Sequence, residues 1–285
     1  MEKLNTVLAV AERADEIATV LEKSTAIAGA FGARVEFLVA GAEMARATAA
    51  CNALRNCPEV SLCSLHRESE SLADIILRRV LDTEPDLVVK APAGIHPLRR
   101  WTLDDNDWYL ANACPVPLLL ARPQKWGVPV RFAAAVDVAD ESQEDLVQAI
   151  LQSACCFALG VHGELEILYS EREQTDQRVR MERTVRLARL VRERHLGCDR
   201  ILRFEGPPQQ ALAAHAAERR YDVMVVGAQS RRETSAGFIP RTTCRLVEAT
   251  LGDVLIVKQP VQAAATSGRQ RSLRKQGTDQ IQEFA

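Results

Sequence analysis

The run VMVVGAQS, Val223 to Ser230, ends an apolar segment on a small, glycine-containing turn, and a helical stretch follows from Arg241 and Thr242. In an open parallel sheet such a turn lies beyond the carboxyl end of a strand, where ligands collect. Backbone N–H groups at the entry to the following helix can meet a phosphate or another anion there. Gly227 leaves room for close approach, and Arg231, Arg232 and Arg241 add positive charge around the turn. The chemistry on offer is anion recognition rather than bond making. His96, His162, His195 and His215 fall on different predicted elements, with no nucleophile–base pattern beside them. No HExxH, GxSxG or GxxxxGK[ST] run occurs, so zinc-peptidase, hydrolase and P-loop mechanisms find no footing. Cys51, Cys57, Cys63 and His66 are the one grouping that hints at metal, and their gaps are wider than the tight pairs of structural zinc sites.

The elements that position the turn come in two copies. PDLVVKAP (Pro85 to Pro92) answers to YDVMVVGAQS (Tyr221 to Ser230), and CPVPLLLARP (Cys114 to Pro123) answers to LGDVLIVKQP (Leu251 to Pro260). In the first copy strands are predicted at Thr6–Val10, Arg34–Ala40 and Glu59–Leu65, then at the DLVVKAP and VPLLLA runs. In the second they fall near Arg131–Asp137, Glu164–Tyr169, Asp199–Phe204, Asp222–Gly227 and Asp253–Lys258. Helical stretches alternate with them, including Asp15–Phe31, stopped by Gly32, and Ser71–Thr83, capped by Ser71. Alternation of this kind implies parallel sheets with right-handed crossovers. The second copy is longer, and the extra residues are expected in the helix from Glu173 to His195, against Glu43 to Asn56 in the first.

The fold class is therefore α/β, with two tandem Rossmann-like domains, each a five-stranded parallel sheet flanked by helices. The domains are expected at 1–125 and 126–260, joined through RPQKWGVP (Arg122 to Pro129), with a disordered tail at 261–285. VPLLLA and DVLIVK each close a sheet, and pairing them would remove two bare apolar edges and make an internal pseudo-dimer. Another surface would then remain for a homodimer.

With 47% hydrophobic and 26% charged residues and a net charge of -2, the chain has a globular composition and no electrostatic footprint for nucleic acid. No apolar run reaches membrane-spanning length and the start lacks a leader pattern, which points to the cytoplasm. Eight cysteines in that setting are expected as thiols, with Cys155 and Cys156 on a helix in the core. The arginine-rich helix holding Arg178, Arg180, Arg183, Arg186, Arg189, Arg192 and Arg194 is expected as a solvated face, paired with Glu182 and Glu193.

The duplicated strand order, the VMVVGAQS turn, the stretch TTCRLVEATLGDVLIVK and the run DNDWYLANACPVPLLLARP (Asp105 to Pro123) resemble the universal stress protein family, in its tandem-domain form. The resemblance extends to Pro260 and implies two domains of the adenine nucleotide alpha hydrolase-like type. ATP-binding members carry a G-x-x-G loop, nine residues, then G-S or G-T, with an aspartate closing the first strand. Carried onto this chain, that pattern marks Asp137, Val226, Gly227, Ser230, Arg241 and Thr242 as the cofactor-binding set. Ser230 and Pro240 depart from it, the second removing a backbone donor. The first copy departs further, with Ala91, Gly94, Asp104 and Asp105 along the loop and Ala11 at the strand end. The implied role is a non-enzymatic binding or regulatory module of the stress response, with a protein partner. Its ligand would be an adenine nucleotide or another anionic small molecule. ATP, as a cofactor, is admitted in the second domain only. The alternatives are a nucleotide-responsive switch with weak ATPase activity and a carrier of an apolar ligand.

Overall fold

A computed structural model describes residues 4–54, 57–66, 70–95, 101–172, 174–193, 197–228 and 239–259. The first half runs β1 (Thr6–Ala11), α1 (Ala14–Phe31), β2 (Arg34–Ala40), α2 (Met44–Ala53), β3 (Val60–Leu65), α3 (Leu72–Thr83) and β4 (Leu87–Lys90). A two-stranded hairpin, β5 (Gly94–Ile95) with β6 (Trp101–Thr102), precedes α4 (Asp105–Ala113) and β7 (Leu118–Leu120). The second half repeats the order with β8 (Arg131–Ala135), α5 (Glu144–Gly160), β9 (Glu164–Glu171), α6 (Gln177–Glu193) and β10 (Arg200–Glu205). It ends on α7 (Pro208–Glu218), β11 (Val223–Ala228), α8 (Arg241–Ala249) and β12 (Asp253–Lys258).

The ten long strands form one sheet in the order β10-β9-β8-β11-β12-β7-β4-β1-β2-β3. In this sheet every pairing within a half is parallel, and the halves meet where β12 runs antiparallel to β7, Leu255 opposite Leu119. The expected pairing of VPLLLA with DVLIVK is thus the seam of the molecule. Alternating strand residues feed two cores. Val7, Ala9, Val35 and Phe37 face α1, α2, α5 and α6, whereas Leu8, Val10 and Met224 face α3, α4, α7 and α8. Helices on both faces explain why the central strands are continuously apolar, with Val223 to Val226 all buried.

Local signals match local structure. Gly32 ends α1 at φ 66, a left-handed turn that costs glycine little. Ser71 Oγ accepts the Asp74 N–H at 3.1 Å, and the same cap substituted by alanine typically loses about 1 kcal/mol. Asp86 and Asp222 each fasten the start of the neighbouring first strand. Asp86 accepts the Asn5 and Thr6 amides at 2.7 and 3.0 Å, and Asp222 accepts the Gly127 and Arg131 amides at 3.0 and 2.8 Å. The β5–β6 hairpin was not expected, because two-residue strands leave no periodic signal.

The extra length of the second half lies partly in α6, with 17 residues against 10 in α2, and partly in the loop between β8 and α5. Of the arginines on α6, Arg178 pairs with Glu182 at 3.1 Å, while Arg186 reaches Glu144 on α5 at 2.8 Å. Arg180 reaches Glu205 on β10 at 3.7 Å. This helix is therefore tied to its neighbours as well as to itself. The Glu193 side chain lies outside the described residues, as do Glu173, Arg194, His96, His195 and the tail from Pro260. All eight cysteines are free; Cys155 is buried and Cys156 half-buried. No helix among the described residues is long and apolar enough to cross a membrane.

Candidate functional site

At the carboxyl ends of β8 and β11 a cavity of about 360 Å³ opens between α5, α7 and the amino end of α8. This volume lies near the low end of the roughly 300–1,000 Å³ typical of small-molecule pockets. Asp137, Val226, Gly227, Arg241 and Thr242 all line it, so five of the six residues marked by sequence converge on one space. Ser230 lies outside the described residues, together with Arg231 and Arg232.

The loop after β8 carries the acidic wall. Asp137 is exposed and its Oδ1 accepts the Ala139 N–H at 2.8 Å. Asp140 accepts from Ser142 Oγ and Gln143 Nε2, both at 2.6 Å, and these hydrogen bonds hold its carboxyl below the usual range. That local network folds residues 141–143 into a 3-10 turn and brings Gln143 to the cavity.

The basic wall is the start of α8. Pro240 is its N-cap, and Arg241, Thr242 and Thr243 form the first turn against the cavity. The first amides of a helix have no partner within it, and the helix dipole adds partial positive charge at this end. Pro240 therefore removes no donor from the helix itself, because the donors begin at Arg241. Thr243 Oγ1 donates to the Gly227 carbonyl at 2.7 Å and locks the helix start onto β11.

Gly227 has a packing reason to be glycine, beside the ligand reason that the sequence suggests. A Cβ there would stand 2.8 Å from Ile150 Cδ1 and 3.0 Å from Leu146 Cδ2. Leu146 and Ile150, one turn apart on α5, also form the apolar floor with Leu212 and Leu246. Sequence reasoning missed these walls, although the i, i+4 spacing of Leu146 and Ile150 marked a buried helix face. It also missed Ser170, which lines the cavity and donates to the Gly206 carbonyl at 2.6 Å.

The first half treats the equivalent position differently. The amide of Asp86 bonds the Thr6 carbonyl and that of Asp222 bonds the Arg131 carbonyl, both at 2.9 Å, so Thr6 and Arg131 are equivalent. Counting on, the counterpart of Asp137 is Glu12, not Ala11; a carboxylate is present at this strand end after all. What fills the site is charge pairing. Lys90 Nζ meets Asp107 at 2.7 Å and the Ala91 carbonyl at 2.8 Å, and Asp107 also accepts the Ala93 N–H at 2.7 Å. Both side chains are buried. Asp104 is the N-cap of α4, accepting the Asp107 N–H at 2.7 Å, so its carboxylate serves the helix. The neighbouring space, lined by Glu16 and Ala91, amounts to about 30 Å³.

A second polar cluster lies at the opposite end of the strands. Tyr221 donates to Glu166 at 2.6 Å, Arg219 pairs with Glu166 at 2.6 Å, and His215 Nε2 lies 3.0 Å from the Tyr221 hydroxyl. Burial holds His215 below the usual imidazole range, and burial with the Glu166 hydrogen bond raises the Tyr221 hydroxyl. The group ties α7 to β9 and lines no described cavity with the site above. Among the described residues no three His, Cys, Asp or Glu side chains gather where they could hold a metal.

Comparison with known proteins agrees with this architecture. Residues 132–258 match the model of the Universal stress protein family. The Universal stress protein E homolog of Haemophilus influenzae is 22% identical over 219 residues, covering 70% of this chain and 71% of that protein. A functionally unknown protein from Pseudomonas aeruginosa superposes with a TM-score of 0.75 at 22% identity, over 90% of this chain and 93% of that one. A universal stress protein from Archaeoglobus fulgidus gives 0.66 at 12% identity, over 91% and 100%. Residues 132–258 thus match the Universal stress protein family, the likeness in sequence to its members extends over about 70% of the chain, and the first half repeats the same strand order.

Proposed function

We propose that this protein is a non-enzymatic, ligand-responsive module of the stress response, acting in the cytoplasm, whose second half takes a small molecule with an anionic end. The observation that carries the reading is the opposition of two walls in one cavity, Arg241 and the α8 amides on one side and Asp137 on the other. An adenine nucleotide satisfies both, with phosphate toward the helix and a hydroxyl or amine toward the carboxylate. ATP as a cofactor belongs to this half alone, because Lys90 and Asp107 occupy the first. The first half then serves as a structural or partner-binding copy, and homodimer formation would use a surface other than the β7–β12 seam.

The absence of catalysis is supported by how the cavity's polar groups are engaged. Ser170 and Thr243 both donate to carbonyls, and Asp137 accepts an amide, so no hydroxyl among these is held by a base. The apolar floor of Leu146, Ile150, Leu212 and Leu246 favours a second reading, a carrier of an apolar ligand.

Calorimetric titration of the full chain with ATP, ADP and AMP tests the first reading. Binding should weaken tenfold or more in Asp137→Ala and in Arg241→Ala. Titrations that stay flat for all three nucleotides, with a lipid released on denaturation in native mass spectrometry, would replace it by the carrier. Phosphate release that depends on Asp137 would replace it by the ATPase switch.

A further inference from the structure

The two sides of the β7–β12 seam are built on the same plan and finished differently. The registers Val88↔Leu118 and Met224↔Val254 make Pro117 the counterpart of Asp253, and Arg122 the counterpart of Lys258. The amide bonds Ala33 to Ala28 and Gly163 to Ala158 make Lys23 on α1 the counterpart of Ser153 on α5.

On one side the seam is filled. Asp253, fully buried, accepts from Lys23 at 2.5 Å, from the Arg122 amide at 2.7 Å and from the Trp126 indole at 2.8 Å. Lys23 also donates to the Arg122 carbonyl at 2.5 Å. Cation, carboxylate and aromatic close the gap between the halves.

On the other side stand Ser153, Pro117 and Lys258, and a cavity of about 570 Å³ remains among them. Leu81, Val116 and Ala149 give it apolar walls. Lys258 Nζ donates to the Asn112 and Cys114 carbonyls, which uses two of the three N–H donors of an ammonium. Among the described residues no carboxylate lies within ion-pair distance of it, and burial pushes it down to about 8. Glu84 and Asp86 also line the cavity. Asp86 is committed to the Asn5 and Thr6 amides, and Glu84 is exposed. An apolar space, a cation with a donor to spare, and a counterpart site that holds a carboxylate define one kind of occupant.

We propose that the seam cavity binds a small carboxylate-bearing molecule with an apolar body, its carboxylate taking at Lys258 the place that Asp253 takes beside Lys23 and Arg122. A short-chain carboxylic acid and an apolar amino acid share that chemistry. The amino acid's ammonium would face Glu84 and Asp86.

The test titrates the full chain with hexanoate, norleucine and hexanol, followed by calorimetry. At least one of the two carboxylates should bind, tenfold or more above hexanol; norleucine ahead of hexanoate assigns a role to Glu84 and Asp86, and hexanoate ahead of norleucine removes it. Lys258→Met should weaken binding at least tenfold, and Arg241→Ala, in the separate second-half cavity, should leave it unchanged. Pro117→Asp restores the missing carboxylate from within and should also abolish binding, with the melting temperature maintained or raised. The proposal is overturned if neither carboxylate binds, if hexanol binds equally well, or if Lys258→Met leaves binding intact. Loss of binding in Arg241→Ala instead would move the ligand to the other cavity and overturn it as well. Should Pro117→Asp fail to fold, Lys258→Met with the hexanol comparison still decides.

Discussion

Arg122 and Lys258 occupy equivalent positions in the two halves, and each sends its cation across the seam into the carboxyl end of the other half's last helix. The Arg122 guanidinium donates to the carbonyls of Val247, Thr250 and Gly252, and the Lys258 ammonium donates to those of Asn112 and Cys114. A helix end exposes carbonyls without partners and carries partial negative charge, so a cation there satisfies both needs. The reciprocal exchange binds the halves through α4 and α8 in addition to the β7–β12 ladder.

Arg122 is fully buried, and truncating its side chain leaves the carbonyls of Val247, Thr250 and Gly252 short of partners. Arg122→Met should lower stability by at least about 1–3 kcal/mol, the usual effect of leaving a buried hydrogen-bonding group without its partner. Lys258→Met should have the smaller effect, since Lys258 is only half-buried and its ammonium serves two carbonyls rather than three. Urea unfolding of the two variants gives the comparison, and equal losses would contradict the asymmetry of the seam.

Gly227 distinguishes packing from ligand contact. Gly227→Ala forces a methyl onto Ile150 and Leu146, and overpacking of this kind destabilises by about 1–3 kcal/mol. Adding Ile150→Val should return part of the loss. Thermal denaturation without ligand reads this directly, and an unchanged melting temperature would leave only the ligand reason for the glycine.

Among the described residues the Lys90–Asp107 pair fills the first-half position that corresponds to the second-half cavity. Lys90→Met or Asp107→Leu alone strands a buried charge and should cost about 3–5 kcal/mol, whereas the double variant should recover most of it. A double-mutant cycle by chemical denaturation measures the coupling. Additive losses would mean that the two side chains act independently.

Tyr221 makes stability depend on alkaline pH. Burial and the hydrogen bond to Glu166 raise its hydroxyl above the unfolded value of about 10. Above pH of about 10 the unfolded chain releases this proton while the folded chain retains it. Stability contributed by the tyrosine is therefore complete below that pH and is lost as pH rises further. Tyr221→Phe should flatten this part of the profile, which melting curves of the two proteins between about pH 9 and 11.5 would reveal. Parallel curves would rule out Tyr221 as the titrating group.

Much of the architecture is legible along the chain. Strands alternate with helices, Gly32 and Ser71 punctuate helix ends, and the duplicated apolar runs mark equivalent strands, all of which are short-range signals set by backbone conformation and burial. The Asp137, Gly227 and Arg241 set was legible because the ends of parallel strands converge. The Glu12 equivalence was not, because one residue of register is invisible without the hydrogen bonds that fix it.

The sequence by itself determined a repeated parallel α/β unit and the edge strands that would have to pair. Only the tertiary structure decided which copy keeps a cavity and which side of the seam stays open. Those outcomes turn on meetings between distant residues, Lys90 with Asp107 in one place and Lys23 with Asp253 in the other. Composition and periodicity reflect how each residue partitions between water and core. Whether a buried charge finds its partner depends on where the folded chain brings the two together.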